Sequence, residues 1–260
     1  VTQALIPAAP LDPDAVLDRA AAEYLAARGA LTTALDRAAS AVQRGMMRLP
    51  PEIQRLAAER AREGLELAWR VAILGLDPET RREHGAAYRL TGALSGALGG
   101  FGGLPTTLAE LPVTTSLIMR SVADIARARG LDLGAEEVRR ACIEVFAFGG
   151  PLEEDDDADL AFWMTRLAGQ EVAQLIAAVI ARYAPVLVTK LGAQAAPLVG
   201  AAVGAGLNLV YMAFYQRMAR VVFDLLPLER ALGREAARRA FAARVDAKRR
   251  ARGEDARFRR

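Results

Sequence analysis

The densest set of side chains able to do acid–base chemistry is Thr106, Thr107, Glu110, Thr114, Thr115, Arg120 and Asp124. Glu110 and Thr114 are four residues apart, as are Arg120 and Asp124, so on a helix each pair shares a face. One reading is a polar patch lining a cleft. A hydrolase would then use Glu110, Asp124 or Glu144 as acid or base, with Thr114 or Thr115 assisting. The other reading is structural: Arg120 pairs with Asp124, and the threonines cap or bond back to helix carbonyls. Asn208 stands among 26 uncharged residues, 191–216. If buried it needs partners, and Glu110 and Arg120 are the candidates. The acidic run Glu153, Glu154, Asp155, Asp156, Asp157 and Asp159 has the donors for a hard cation. It lacks the turn glycine and spaced final Glu of an EF-hand loop, so a solvated loop is expected and no metal site.

Composition removes most other chemistry. The chain has 260 residues with one His and one Cys. A zinc site or a Ser-His-Asp triad would rest entirely on His84, which reads as a surface residue. Cys142 falls on an apolar helix face and reads as core. The glycines at 99–103 are not followed by Gly-Lys-Ser/Thr, so they form no Walker loop, and no Gly-x-Ser-x-Gly elbow occurs. No cofactor is expected.

The elements that must position these residues are helices. Ala, Leu, Arg and Glu dominate, and alternating β patterns are nearly absent, so an all-α bundle of about 8–10 helices is expected. Asp12-Pro13-Asp14 opens a helix that ends near Gly29. Others are expected over about 31–45, from Pro50-Pro51, from Asp77-Pro78, from Thr106 to Arg129 with a bend or restart at Pro112, over 135–148 and over about 157–182. Leu226-Pro227 is expected to break the chain before a basic C-terminal helix. Residues 1–13 read as a flexible segment, 14–229 as one helical domain, and 230–260 as a basic helix and tail.

Two stretches are uncharged: 90–109 and 191–216. Gly92, Gly96 and Gly100 recur every four residues in the first; Ala196, Gly200, Gly204 and Asn208 do so in the second. Each set shares one helix face and suits close helix packing. Both stretches reach the length of a membrane span, but they are rich in Ala and Gly, so central helices of a folded bundle are expected. The net charge of +3 hides an acidic body of −5 over 1–229 and a basic segment of +8 over 230–260. Such a segment suits an anionic bilayer surface. Few aromatics and no basic–aromatic interleaving argue against nucleic acid, although the basic tail keeps it open as an alternative. Val1 to Pro13 carries no basic, apolar leader, so a cytoplasmic protein is expected, peripheral at the inner face of the cell membrane where it meets lipid.

Two passages carry a family resemblance. One is FGGLPTTLAELPVTTSLIMRSVADIA at 101–126, followed by Gly130, Asp132 and CIEVFAFGG from Cys142. The other is PLVGAAVGAGLN from Pro197, continuing through Tyr215, Ala219 and Phe223 to Glu229. In order and spacing they resemble the bacterial EcsC protein family over about 50–235. The resemblance implies an all-helical, mainly cytoplasmic protein of a family named for a gene beside an ABC-transporter pair. It has sometimes been labelled a hydrolase, without an accepted mechanism. Positions matching its motifs are Pro112, Thr114, Thr115, Arg120, Asp124, Glu144, Gly200, Gly204, Asn208 and Glu229. The expected role is non-enzymatic: binding lipid, an apolar ligand or a membrane protein partner such as an ABC-transporter component. Arg120, Asn208 and Glu229 are its expected polar anchors.

Overall fold

The computed structural model describes residues 12–28, 50–148, 156–165, 172–193 and 199–253. Among them are nine α-helices and one 3-10 turn, and no strand. They are α1 (13–28), α2 (Pro51–Ala72), α3 (Gly85–Phe101), α4 (Leu104–Ala128), α5 (Glu136–Glu144), α6 (Asp156–Thr165), α7 (Val172–Ala193), α8 (Val199–Leu232) and α9 (Arg234–Ala251). The 3-10 turn, Val145–Phe148, continues α5. The helix expected over 31–45 and the N-terminal segment 1–11 lie outside the described residues.

The helix ends follow local chemistry. The Asp12 carboxylate accepts from the backbone N–H groups of Asp14 and Ala15 and starts α1, with Pro13 in the first turn. Gly103 ends the α3–α4 turn at φ 71°, a conformation that favours glycine. There Thr106 and Thr107 each donate to the carbonyls of Gly99 and Gly103, fastening the two helices together.

Three expectations need correction. Asp77-Pro78 does not open a helix. Residues 76–84 form a loop held by Arg127, which donates to the carbonyls of Asp77, Thr80 and Arg82. Pro112 does not restart α4, which is continuous from Leu104 to Ala128. Pro227 lies inside α8, which stops only at Gly233, φ 84°. A proline deletes one internal bond, and buried Leu225, Leu226 and Leu228 around it supply the offsetting contacts. Of the helix expected over 157–182, α6 and the first half of α7 are helical, and residues 166–171 between them lie outside the described residues. The uncharged stretch 90–109 is divided at Gly102–Gly103, within the glycine run at 99–103, and no described helix is long and apolar enough to cross a membrane.

Among the described residues, α3 and α8 make the most extensive helix contact. They run antiparallel, because Gly92 faces Asn208 and Met212 while Gly96 faces Gly204. A Cβ at Gly96 would lie 2.2 Å from the Gly204 carbonyl oxygen, so the two backbones touch. Gly92, Gly96 and Gly100 are all buried, as the four-residue spacing predicts. Gly204 is buried too. Gly200 lies in the first turn of α8, and its surroundings are outside the described set. α2 crosses α4 at a second close approach, where Gly64 meets Pro112 and Thr115. The far end of the core is aromatic: Tyr24, Phe148, Trp163 and Phe241 interlock at centroid distances of 5.1–6.1 Å.

α9 docks on this aromatic end. Ala237, Phe241 and Val245 are buried, as is Arg238. Its charges meet acidic partners on other helices: Arg244 pairs with Asp14 and Asp18, and Lys248 with Asp18.

The glycine contacts separate two substitutions of identical chemistry. Gly96→Ala should destabilise by about 1–3 kcal/mol through overpacking. Gly206→Ala, in the same helix pair but with nothing within 4 Å of its added methyl, should stabilise by roughly 0.5–1 kcal/mol. Urea unfolding of both variants checks this; equal shifts would contradict the α3–α8 contact.

Candidate functional site

The polar centre is assembled from four helices. α4 contributes Glu110 and Thr114, one turn apart. α7 contributes Lys190, α8 Asn208 and α3 Ser95. Lys190 Nζ donates to Glu110 Oε2 at 2.5 Å and to Thr114 Oγ1 at 3.0 Å. Glu110 Oε1 accepts from Ser95 Oγ at 2.9 Å, from Asn208 Nδ2 at 3.0 Å and from Thr114. Asn208 Nδ2 also donates to the Gly92 carbonyl at 2.7 Å, which ties this centre to the α3–α8 seam. Asn208 Oδ1 is buried without a partner. Gly99 leaves the room that the Glu110 side chain fills, since a Cβ there would lie 2.9 Å from Glu110 Cγ.

Lys190 is fully buried and Glu110 is 7% exposed. Burial is the largest influence on Glu110 and pushes its carboxyl up. The Lys190 charge and the bonds from Lys190, Thr114 and Asn208 outweigh it, leaving the group below its ordinary value. Burial also dominates Lys190 and holds it below its ordinary value, with Glu110 pulling the other way. A carboxylate held ionised against an ammonium group is a weak proton acceptor. Its chemistry is that of a lock joining α3, α4, α7 and α8.

The other candidate carboxylates sit elsewhere. Asp124 is fourteen residues along α4 from Glu110, roughly 21 Å at 1.5 Å per residue. It accepts from Arg127 at 2.6 Å, from the His84 backbone N–H at 2.7 Å and meets His84 Nδ1 at 3.2 Å. His84 itself is half exposed. Glu144 pairs with Arg238 at 2.5 Å and Arg234 at 3.4 Å, and Arg238 also binds Glu229 at 2.7 Å and the Trp163 carbonyl at 2.6 Å. The Arg238 guanidinium lies 3.9 Å from the Trp163 ring centre. Burial, first, and the neighbouring Glu144 charge hold the Glu229 carboxyl above its ordinary value against the pull of Arg238 and Arg234.

Arg120 differs from expectation. It pairs with neither Asp124 nor Asn208. Half-buried, it donates to the carbonyls of Val71, Ala72 and Leu74, closing the end of α2. Asp124 takes Arg127, one residue nearer, because Arg127 points into the 76–84 loop. Thr115 bonds back to the Leu111 carbonyl at 2.9 Å and meets the Tyr183 hydroxyl at 3.1 Å. Cys142 is core, and burial raises its thiol well above the ordinary range. Among the described residues no three His, Cys, Asp or Glu side chains gather at metal-holding distance. In the acidic run, 153–155 and the side chains of 156–159 fall outside the described set.

Lys190, Arg127, Arg238 and Ser95 were not among the sequence candidates. The signal for Lys190 was present: it is the one charge between Tyr183 and Gln216, in a chain with only one other lysine. Arg127 and Arg238 carried no comparable signal among 32 arginines.

Lys190→Met strands an ionised Glu110 and should cost about 3–5 kcal/mol at neutral pH, most of it returned by adding Glu110→Gln. The sign of the pH dependence also changes. In the wild type the lowered Glu110 gives stability that is complete above 4.5 and lost as pH falls through its shifted value. In Lys190→Met burial alone acts and raises the group, so falling pH relieves the buried charge. Urea midpoints at neutral pH and at about pH 4 should therefore converge. A gap that stays constant would contradict the buried pair.

The family model for the EcsC protein family matches residues 26–225, and the chain belongs to that family. The match begins nearer the N-terminus than the motif passages do, taking in part of α1. No curated protein and no solved structure matches the chain.

Proposed function

We propose that this EcsC-family chain is a non-enzymatic helical protein that acts at the surface of a membrane, resting on lipid through the outer face of α3. The observation that carries this is an exposed apolar stripe. Leu90, Leu94, Leu98 and Phe101 recur at spacings of four, four and three, so they share one face, and Leu98 is 75% exposed. Val113 of α4 and Leu209 of α8, on the two helices packed against α3, are exposed as well. No charged residue occurs from Leu90 to Ala109. An exposed apolar stripe of this kind on a folded domain marks an interaction surface. Inserting each Leu or Phe below the headgroups would contribute about 1.5–3 kcal/mol.

The acid–base reading has less support, because Glu110, Asp124 and Glu144 each meet a separate cation in the core. The basic segment contributes less than its charge suggests. Arg234, Arg238, Arg244 and Lys248 are already paired with carboxylates, while Arg250 and Arg252 face solvent. Each exposed arginine near an anionic surface adds about 1 kcal/mol. The proposed setting is the cytoplasmic face of the cell membrane. There the family's link to ABC transporters suggests a membrane protein of that class as a neighbour.

Co-sedimentation of the full-length protein with phosphatidylglycerol-containing vesicles tests this. Binding should persist in part at high salt, because apolar insertion is not screened. Leu94→Glu with Leu98→Glu should lower partitioning by about a hundredfold or more. Absence of wild-type binding, or equal binding by the double variant, would overturn the proposal.

A further inference from the structure

Arg139 of α5 stands apart from the other inward-facing arginines. Arg28 donates to the Phe148 carbonyl, Arg127 to Asp124 and three loop carbonyls, and Arg238 to two glutamates and the Trp163 carbonyl. Arg139 is half-buried and its Nε is sealed from solvent without an acceptor, as are the Nε atoms of Arg28 and Arg127, which nonetheless bond through other guanidinium nitrogens. Among the described residues its guanidinium makes no ion pair.

Arg139 lines an open cleft of about 720 Å³. Trp69 of α2, Ile73 just beyond its C-terminus, Leu133 from the loop before α5, and Val172 at the start of α7 supply its apolar walls. That volume falls within the range of small-molecule sites, which combine apolar walls with a few fixed polar groups. The planar guanidinium fork matches a carboxylate in a two-bond arrangement. Glu136, one turn before Arg139 and exposed, also lines the cleft. Its charge repels a second negative charge and so disfavours a dianionic phosphate over a carboxylate.

We infer that this cleft binds a monoanionic carboxylate bearing an apolar chain or ring. The carboxylate would lie on Arg139 and the apolar body against Trp69, Ile73, Leu133 and Val172. The cleft uses no residue of the α3 stripe, so the inference does not depend on the membrane proposal.

Calorimetric titration of the full-length protein with decanoate, below its micelle concentration, tests it, with decanol and acetate as matched probes. Decanoate should bind saturably at one site, with decanol and acetate much weaker. Arg139→Gln, with its fold verified by circular dichroism, should weaken decanoate by about tenfold. Glu136→Gln should strengthen it, which keeps the test decisive if the arginine variant folds poorly. The Leu94→Glu, Leu98→Glu variant should bind decanoate as the wild type does. No saturable binding, decanol equal to decanoate, a folded Arg139→Gln with wild-type affinity, an unchanged Glu136→Gln, or loss of binding in the leucine variant would each overturn the inference.

Discussion

The backbone contact between Gly96 and Gly204 sets the geometry of the rest. Where two helices touch without side chains between them, their neighbours are brought to fixed distances. Asn208, one turn beyond Gly204, then reaches both the Gly92 carbonyl and Glu110. Glu110 in turn fills the space left by Gly99 and receives Lys190 from α7. Close approach by glycine and satisfaction of a buried charge are therefore one arrangement. The first creates the low-dielectric interior in which the second becomes necessary.

The same seam has an opposite side. Glycines occupy the inner face of α3, while its leucines and Phe101 remain outside. Large residues inside and small ones outside would have been the usual bundle solution. The reversal gives a helix that packs tightly inward and stays apolar outward. The polar lock beneath holds α3 in place without requiring charges on its exposed face.

Much of this was legible in the sequence, for reasons that can be named. The all-helical class follows from composition, and the glycine faces follow from four-residue spacing, which is a local property. Glu110 as a partner for Asn208 was also readable, since an amide in an uncharged run has few choices. What failed was non-local. Arg120 and Asp124 have ideal spacing for each other, yet Asp124 is taken by Arg127 and Arg120 by the carbonyl ends of α2. Asp77-Pro78 has the form of a helix start, but three loop carbonyls are claimed by an arginine about fifty residues away. Pro227 has the form of a helix stop, but buried leucines on both sides carry α8 through it. In each case a tertiary partner outweighed a local preference.

The contact between the two ends of the described chain has a kinetic consequence. Asp14 and Asp18 of α1 meet Arg244 and Lys248 of α9, more than two hundred residues later, and Tyr24 meets Phe241 edge to face. A nascent chain leaving the ribosome therefore cannot close this end of its core until α9 emerges. Until then the aromatic end stands open, and closing it requires bringing together the first and last of the described helices. Synthesis and completion of the fold are thus separated in time, and the interval is set by the length of chain between α1 and α9.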